Sequence, residues 1–452
     1  MSSRIPVFEN ITQVDPRTTT FQLTPFHVCY ANSLRRLMSD YVETVGFRAD
    51  MTDDGTTTDV TVVRNDTPMS NEMLAHRVGL LPINIKEPLR FKPENYTFTL
   101  KMTNTTTDIM DVKAGDFQVG ERSGPGGDPT PVPTDRFFPP DPRTRQMAET
   151  TLLAVLRPKT YLQGININRS SEKQVETGES IEIVAQASVG IGKEHARFSP
   201  VCQCSVAYTR DNTPAKVEAL FAKWLQMEKK AMLDDLKTDP DRLAILRREF
   251  ETMAIQRSYL QDERGEPYSF DFTVETKGVL DVGYIVARAC DKGAELFARY
   301  ANLSSGKDIP EDVEISPSEA EMTGFDFLFR GQDATLANML QTYLVENHID
   351  GTEKPAITFA GWRQGHPLKG EVFLRVGVAD RSEATARQAV AAAAAGCANI
   401  FRQLKNAWTA ATGDVGPAAG AGPVKRTVTL RRGPAGAGAG APKKTVAPIG
   451  EE

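Results

Sequence analysis

The sequence predicts an α+β fold. Two similar modules, each of strands plus helices, pair by pseudo-twofold symmetry within one chain, with a strand-patterned stretch and a helical hairpin between the echoing ends. Three observations lead there. The two ends of the folded part echo each other at a constant offset: Phe21-Gln22-Leu23 precedes Asn32 by the same interval as Phe327-Leu328-Phe329 precedes Asn338, 306 residues on, and Leu34 then matches Leu340. Each echoing unit closes with an apolar-striped helix, at about 281–300 and 381–409. Finally, 452 residues are enough for about three domains, and the composition changes character at 115–145, 214–263 and 411–452.

In chain order, TTTFQLT (18–24) reads as a strand, and Pro25 opens a helix to about Val45. Ala31, Leu34, Met38, Tyr41 and Val45 recur at the spacing of one helix face. Strand-like segments at 42–50 and 58–64 flank the acidic turn Asp53-Asp54-Gly55, as in a hairpin. A short helix over about 70–78 ends at Gly79, and LLPINI reads as buried and extended. Residues 115–145 are too rich in Pro and Gly for a helix or central strand. Strand patterns resume at 149–157, 179–190 and 201–209. Residues 214–263, rich in Lys, Glu, Leu, Met and Arg, read as two antiparallel helices broken at Thr238-Asp239-Pro240, with solvated charged faces.

A strand at 268–276 leads into the helix at 281–300, where Val282, Ile285, Ala289, Gly293, Leu296 and Tyr300 line one side. The polar stretch 304–322 reads as a linker. Beyond it come a strand at 325–330, a helix at 333–347, strands at 355–361 and 371–378 around the loop RQGHPLKG, and the helix at 381–409. Its Val390, Ala394, Cys397, Phe401, Leu404 and Trp408 alternate steps of 4 and 3, a seam suited to packing along another helix. The 281–300 helix is its natural intramolecular partner. The predicted seam is therefore Ile285, Ala289, Leu296, Leu336, Leu340, Val390, Cys397, Phe401 and Leu404.

From 411 onward the chain is Ala/Gly/Pro-rich with small basic clusters, and its composition predicts disorder. The formal net charge of −6 excludes a generally basic nucleic-acid coat, and the first 410 residues hold 47 Lys+Arg against 56 Asp+Glu. Any electrostatic grip on nucleic acid would come from a local patch or from the tail. The five cysteines exclude a disulfide-dense scaffold. Cys29, Cys290 and Cys397 read as small buried hydrophobes, and Cys202 and Cys204 as two side chains on one face of a strand, short of a four-ligand zinc site. The N-terminus lacks the apolar core of a signal peptide. The longest weakly polar run, Ala389–Phe401, is 13 residues and too short to span a bilayer. An intracellular, reducing compartment is expected, with nucleus, cytoplasm and viral particle or factory left open.

No enzymatic constellation emerges. Gly190-Ile191-Gly192-Lys193 fails the phosphate-loop pattern, which needs Gly at 187 and Ser or Thr at 194, where the chain has Ala187 and Glu194. The five histidines have no ligand-spaced partners. No catalytic residue, metal or cofactor is expected. What stands out is unusual polar residues on structural elements: Asn32, Arg35 and Arg36 in the first helix, His76 and Arg77 in the second, and Lys193, Glu194, His195 and Arg197 in one donor-dense loop. Exposed salt bridges, each worth under about 1 kcal/mol, are one reading. Protein–protein anchors are the other, since Arg is favoured where planar carboxylate recognition matters.

These segments resemble the assembly subunits of multisubunit DNA-dependent RNA polymerases. ANSLRRL (31–37), NEMLAHRVGLLPI (71–83) and GIGKEHARFSP (190–200) resemble the archaeal D subunit and its eukaryotic counterpart, the third-largest subunit of RNA polymerase II. FDFTVETKGVL (270–280) fits the strand before that family's last helix. FLFRGQDATLANMLQTYL (327–344) and GWRQGHPL (361–368) are similar to the archaeal L subunit and its eukaryotic equivalent. The bacterial alpha subunit uses the same fold twice, as a homodimer.

The resemblance implies a D-like module over 1–45 and 190–303, carrying the hairpin 214–263; an inserted mostly β domain over 46–189; a linker at 304–322; an L-like module over 323–410; and the tail 411–452. Such fusions resemble those of some large DNA viruses. The implied function is a non-catalytic platform that docks the second-largest and largest polymerase subunits and a small zinc-bearing subunit. Asn32, Arg35, Arg36, His76, Arg77, Lys193, Glu194, His195 and Arg197 are the implied docking face. Many D-like relatives carry a cysteine cluster in the inserted domain; residues 46–190 hold no Cys, so no metal is expected there. DNA or RNA would be touched only indirectly, or weakly through the tail, and no membrane is involved. The competing reading is a nucleic-acid-binding protein acting through that tail.

Overall fold

Two four-stranded antiparallel sheets organise the chain, which is represented by a computed structural model describing residues 6–53, 57–122, 124, 127–140, 149–158, 178–233, 239–306, 309–318 and 323–413. The first sheet holds β1 (Val7–Gln13), β2 (Thr18–Thr24), β12 (Val201–Tyr208) and β13 (Phe270–Thr276) in the order β1-β2-β13-β12. The second holds β14 (Val313–Pro317), β15 (Gly324–Arg330), β16 (Phe359–Gln364) and β17 (Glu371–Gly377) in the order β14-β15-β17-β16. Both orders describe one arrangement, with the first two strands of each module at one side. Helix α1 (Val28–Asp40) follows β2, and helix α6 (Ala334–Leu344) follows β15. The first strands, second strands and following helices start at 7, 18 and 28 in one module and at 313, 324 and 334 in the other, a constant offset of 306. Alternation puts Phe21 and Leu23 of β2, and Phe327 and Phe329 of β15, into the core.

The helix starts match as well. His27 caps α1 by accepting from the Cys29 N–H, and Asp333, 306 residues later, caps α6 by accepting from the Thr335 N–H. The remaining long helices are α5 (Val282–Ala298) and α7 (Glu383–Thr412), the latter capped by Ser382. Buried residues from both sheets and from α1, α5, α6 and α7 form one continuous core.

A second core belongs to the inserted domain. Its main sheet runs β4 (Val60–Asn65), β10 (Ser180–Ala185), β5 (Tyr96–Thr103), β7 (Gln118–Glu121) and β8 (Thr130–Val132). Two small pairs join it, β6 (Met110–Lys113) with β9 (Leu152–Leu156), and β3 (Glu43–Gly46) with β11 (Ser188–Ile191). Helix α2 (Asn71–Gly79) packs beside them, started by Ser70. A third, smaller core joins α3 (Pro214–Trp224) to α4 (Pro240–Met253) through Phe221, Trp224, Leu225 and Phe250. Pairs such as Arg247–Glu218 and Arg257–Glu228 lace the outside of this hairpin.

Several expectations need correction. The stretch 304–322 is more than a linker, because β14 within it edges the second sheet. Val313 is buried and Ile315 half-buried while Glu314 and Ser316 face water, so a half-packed edge strand reads as polar sequence. Residues 118–121 form β7 inside the supposed Pro/Gly break, and Phe137 and Phe138 of the same stretch are buried in the inserted core. Its Pro131 sits on edge strand β8, where a missing N–H costs no ladder bond. The strand expected at 355–361 lies at Phe359–Gln364 and runs into the expected loop. A register shift in β12 at Cys202 breaks the alternation: Cys202 is exposed while Cys204 turns its thiol toward the Arg35 carbonyl, so the two do not share a face. The 53–55 turn and the tip of the hairpin lie partly outside the described residues, and the tail from 414 lies wholly outside them. Among the described residues, no helix is long and apolar enough to cross a membrane.

Candidate subunit interface

The seam between the modules is built by α5 and α7, which run antiparallel. Phe297 stacks on Phe401 at 6.0 Å, Lys405 holds Asp291 at 2.7 Å, and the Trp408 indole N–H donates to the Gly283 carbonyl at 3.1 Å. Close approach requires Gly293, where a Cβ would come within 2.6 Å of the Phe401 ring. The small buried residues of α7, Ala389, Ala393, Ala394 and Ala398, serve the same approach. Each helix also reaches the other module's sheet. Trp408 packs on Phe8 and Phe21 of the first sheet at 5.0 and 5.1 Å, and Tyr300, just past α5, meets Phe329 of the second at 5.0 Å. Burying Phe401, Leu404 and Trp408 stabilises the pairing by roughly 1.5–3 kcal/mol each.

The predicted seam residues Ile285, Ala289, Leu336, Leu340, Val390, Cys397, Phe401 and Leu404 are all fully buried. Leu296 is only half-buried. The side chain at the contact is its neighbour Phe297, because α5 turns Val286, Cys290 and Phe297 inward with Ile285 and Ala289.

A polar clamp sits across this seam. The Asp333 carboxylate accepts from the Arg36 guanidinium at 3.1 Å and from the Tyr41 hydroxyl at 3.1 Å, with the Lys193 ammonium at 3.8 Å. Lys193 also donates to the Gly331 carbonyl at 3.0 Å and lies over the Tyr41 ring. One residue of the second module thus collects three from the first. Burial by itself would raise the Asp333 carboxyl, but Arg36 and Lys193 outweigh it and hold the group below the usual aspartate range. Burial raises the Tyr41 phenol, and the neighbouring Asp333 charge adds to the effect, so it stays a donor.

A companion cluster ties α5 to β3. Glu43, mostly buried, accepts from Arg288 at 2.8 and 3.0 Å and pairs with Lys292. Burial opposes its ionisation, yet the two cations bring its carboxyl below the ordinary glutamate value.

The donor-dense loop is mostly engaged within the chain. Phe198 wedges between Gly46 and Gly190, where added Cβ atoms would come within 2.9 and 2.7 Å of its ring, so both glycines serve close packing. Glu194 pairs with Arg48 at 2.8 Å. Arg197 is buried, donates to the Phe47 carbonyl at 2.9 Å and reaches Asp50 at 3.3 Å. His195 caps a short turn by accepting from the Arg197 N–H. Arg77 donates to the carbonyls of Leu152 and Leu153, pinning α2 to β9. Of the nine polar residues singled out, Asn32 and His76 are exposed and Arg35 is half-buried; among the described residues the Arg35 side chain donates to Asn32, one helical turn earlier, at 3.0 Å.

Asn32 lines a cleft of about 630 Å³ over the module boundary, together with His27 and Tyr208 of the first module and Asn338 and Thr342 of the second. The echoing pair Asn32 and Asn338 therefore meets in one cleft. Asn338 accepts from the Trp362 indole at 3.3 Å, and at the flank Glu346 accepts from the Tyr30 hydroxyl at 3.2 Å.

Residues 325–407 match the RNA polymerase Rpb3/Rpb11 dimerisation domain. That domain comprises β15, α6, β16, β17 and most of α7, the elements that build one side of the seam. Similar proteins include the "DNA-directed RNA polymerases I and III subunit RPAC1" of Mus musculus, 24% identical over 298 residues, covering 62% of this chain and 79% of the relative. The "DNA-directed RNA polymerase subunit Rpo3" of Pyrococcus furiosus is 24% identical over 279 residues, covering 60% and 86%. The "DNA-directed RNA polymerases II, IV and V subunit 3" of Arabidopsis thaliana is 24% identical over 206 residues, covering 42% and 53%.

The sequence reading missed Asp333, Tyr41 and Glu43. A signal existed for the first: Asp333 stands 306 residues after the His27 cap, directly before a helix, where a capping carboxylate is expected.

Proposed function

We propose that the chain is a non-catalytic assembly platform of a multisubunit DNA-dependent RNA polymerase, a D-like and an L-like module joined in one polypeptide and paired by pseudo-twofold symmetry. The observation that carries this reading is the shared core: two modules of the same strand order exchange helices across one seam, and the module matching the Rpb3/Rpb11 dimerisation domain supplies half of it. Fusion makes the pairing unimolecular, which supports it at any chain concentration.

The platform docks the largest and second-largest polymerase subunits and a small zinc-bearing subunit, in an intracellular, reducing compartment. Asn32, Arg35 and His76 are the residues of the docking face that keep donors or acceptors unused among the described residues and so open to a partner. Arg36, Arg77, Lys193, Glu194, His195 and Arg197 shape that face from within. The tail touches nucleic acid at most weakly.

The test is to tag the chain in its native setting, purify at moderate salt, identify co-eluting proteins by mass spectrometry and assay RNA synthesis. Two large polymerase subunits near one-to-one with this chain, with activity, support the platform. Recovery of the chain alone, under conditions that keep the polymerase intact, would mean that the fold serves another purpose.

A further inference from the structure

The inserted domain carries a basic pocket that the platform reading does not use. Two turns beginning with proline, Pro88–Arg90 and Pro93–Asn95, precede β5 and hold the intervening side chains in fixed directions. They and the turn at Thr134–Arg136 enclose a pocket of about 350 Å³ whose rim carries Lys86, Arg90, Lys92 and Arg136. The one carboxylate among the lining residues is Glu87, paired with Arg90 at 2.9 Å. Lys92 has no partner among the described residues, and the Lys86 ammonium donates once, to the Val279 carbonyl. Glu121, just outside, accepts from the Tyr96 hydroxyl and stands 3.9 Å from Arg136. Among the lining residues the half-exposed ring of Phe91 stacks on Tyr96 at 5.1 Å and 11°.

Four cations against one lining carboxylate, Glu87, leave the pocket lining net positive in a chain of net charge −6, with Glu94, Glu121 and Asp135 in or beside the same turns. We infer that this pocket of the inserted domain binds single-stranded nucleic acid, the rim cations taking backbone phosphates and Phe91 offering its face to a base. An acidic protein segment would satisfy the cations but would leave the flat aromatic surface unused, so the nucleic acid is the better fit. The inference does not depend on the platform reading.

The test titrates the full chain with a fluorescein-labelled 12-nucleotide oligo-dT between 50 and 200 mM salt, and maps ultraviolet crosslinks. Each phosphate neutralised on a single strand contributes about −0.7 to the slope of log K against log salt. Removing three cations in Lys86→Gln/Arg90→Gln/Lys92→Gln should therefore make the slope shallower by about 2.1, shrinking the affinity loss over that range by about 20-fold. Crosslinks should fall within 84–96. The substituted side chains are exposed, so the thermal midpoint should not move. Should the triple variant unfold, Lys92→Gln alone should make the slope shallower by about 0.7. An unchanged slope with crosslinks confined to 411–452 would overturn the assignment and give the binding to the tail. So would failure to bind oligo-dT together with binding of a poly-glutamate peptide, which would assign the pocket to an acidic protein segment.

Discussion

Replacing Asp333 by Asn removes a charge but keeps a side chain that caps helices about as well as Asp. Two cations then lose their counter-charge, Arg36 at 3.1 Å and Lys193 at 3.8 Å, and all three side chains are a quarter to a third exposed. A unit pair at 4 Å in an effective dielectric of 20 attracts with about 4 kcal/mol before desolvation is subtracted. Net values run from about 0.2–1 kcal/mol for exposed pairs to about 3–5 kcal/mol for breaking buried ones. This half-buried clamp falls between, and Asp333→Asn should destabilise by about 2 kcal/mol. Asp333→Ala also removes the cap on the Thr335 N–H and should cost about 1 kcal/mol more. Urea unfolding followed by tryptophan fluorescence reads this, because Trp362 and Trp408 both pack in the shared core. Combined with Arg36→Ala, Asp333→Asn should show a coupling of about 1 kcal/mol. If Asp333→Asn stays within about 0.5 kcal/mol of the parent and does not couple to Arg36, the clamp is an incidental surface contact and the seam is held by packing alone.

Three further outcomes are expected. Phe401→Ala opens a cavity against Phe297 and Gly293 and should cost about 3–5 kcal/mol, read by the same unfolding curve. Glu43 and Asp333 have folded-state pKa values below their ordinary 4.5 and 3.8, so their stabilisation is full above those values and is lost as pH falls through the lower folded ones. The urea midpoint should fall as pH drops below about 4.5, and less steeply in Glu43→Gln/Asp333→Asn. Arg35→Ala, which among the described residues removes a side-chain contact with Asn32 one turn earlier, should leave stability within about 0.5 kcal/mol while lowering recovery of the large polymerase subunits on a tagged chain; Arg36→Ala should lower stability.

The parts of the fold that sequence made legible are those whose periodicity survives packing. The α7 seam was readable because Val390, Ala394, Cys397, Phe401, Leu404 and Trp408 each meet the core at a step of 3 or 4. The echo was readable because Phe21 and Phe327 do the same job in matching strands. Strand β14 was not, since an edge strand with one face in water needs only Val313 and Ile315 to hold it. Leu296 and Phe297 lie next to each other at the edge of the stripe, and only the crossing of α5 with α7 decides that Phe297 is the contact. Arg36 and Lys193 show a deeper limit. Their charge is visible in the sequence, but their partner Asp333 lies well over a hundred residues away, and nothing local tells a docking arginine from one that closes a seam. The basic pocket is not legible in the sequence, because Lys86–Lys92 and Arg136 become neighbours only once the strands pair.

The most direct test of the central claim is native mass spectrometry of the complex purified on this chain. The account predicts one copy of the chain per assembly, bound with one copy each of the two largest polymerase subunits, because both halves of the dimer reside in a single polypeptide. Two copies per assembly, or a stable homodimer without the large subunits, would contradict it.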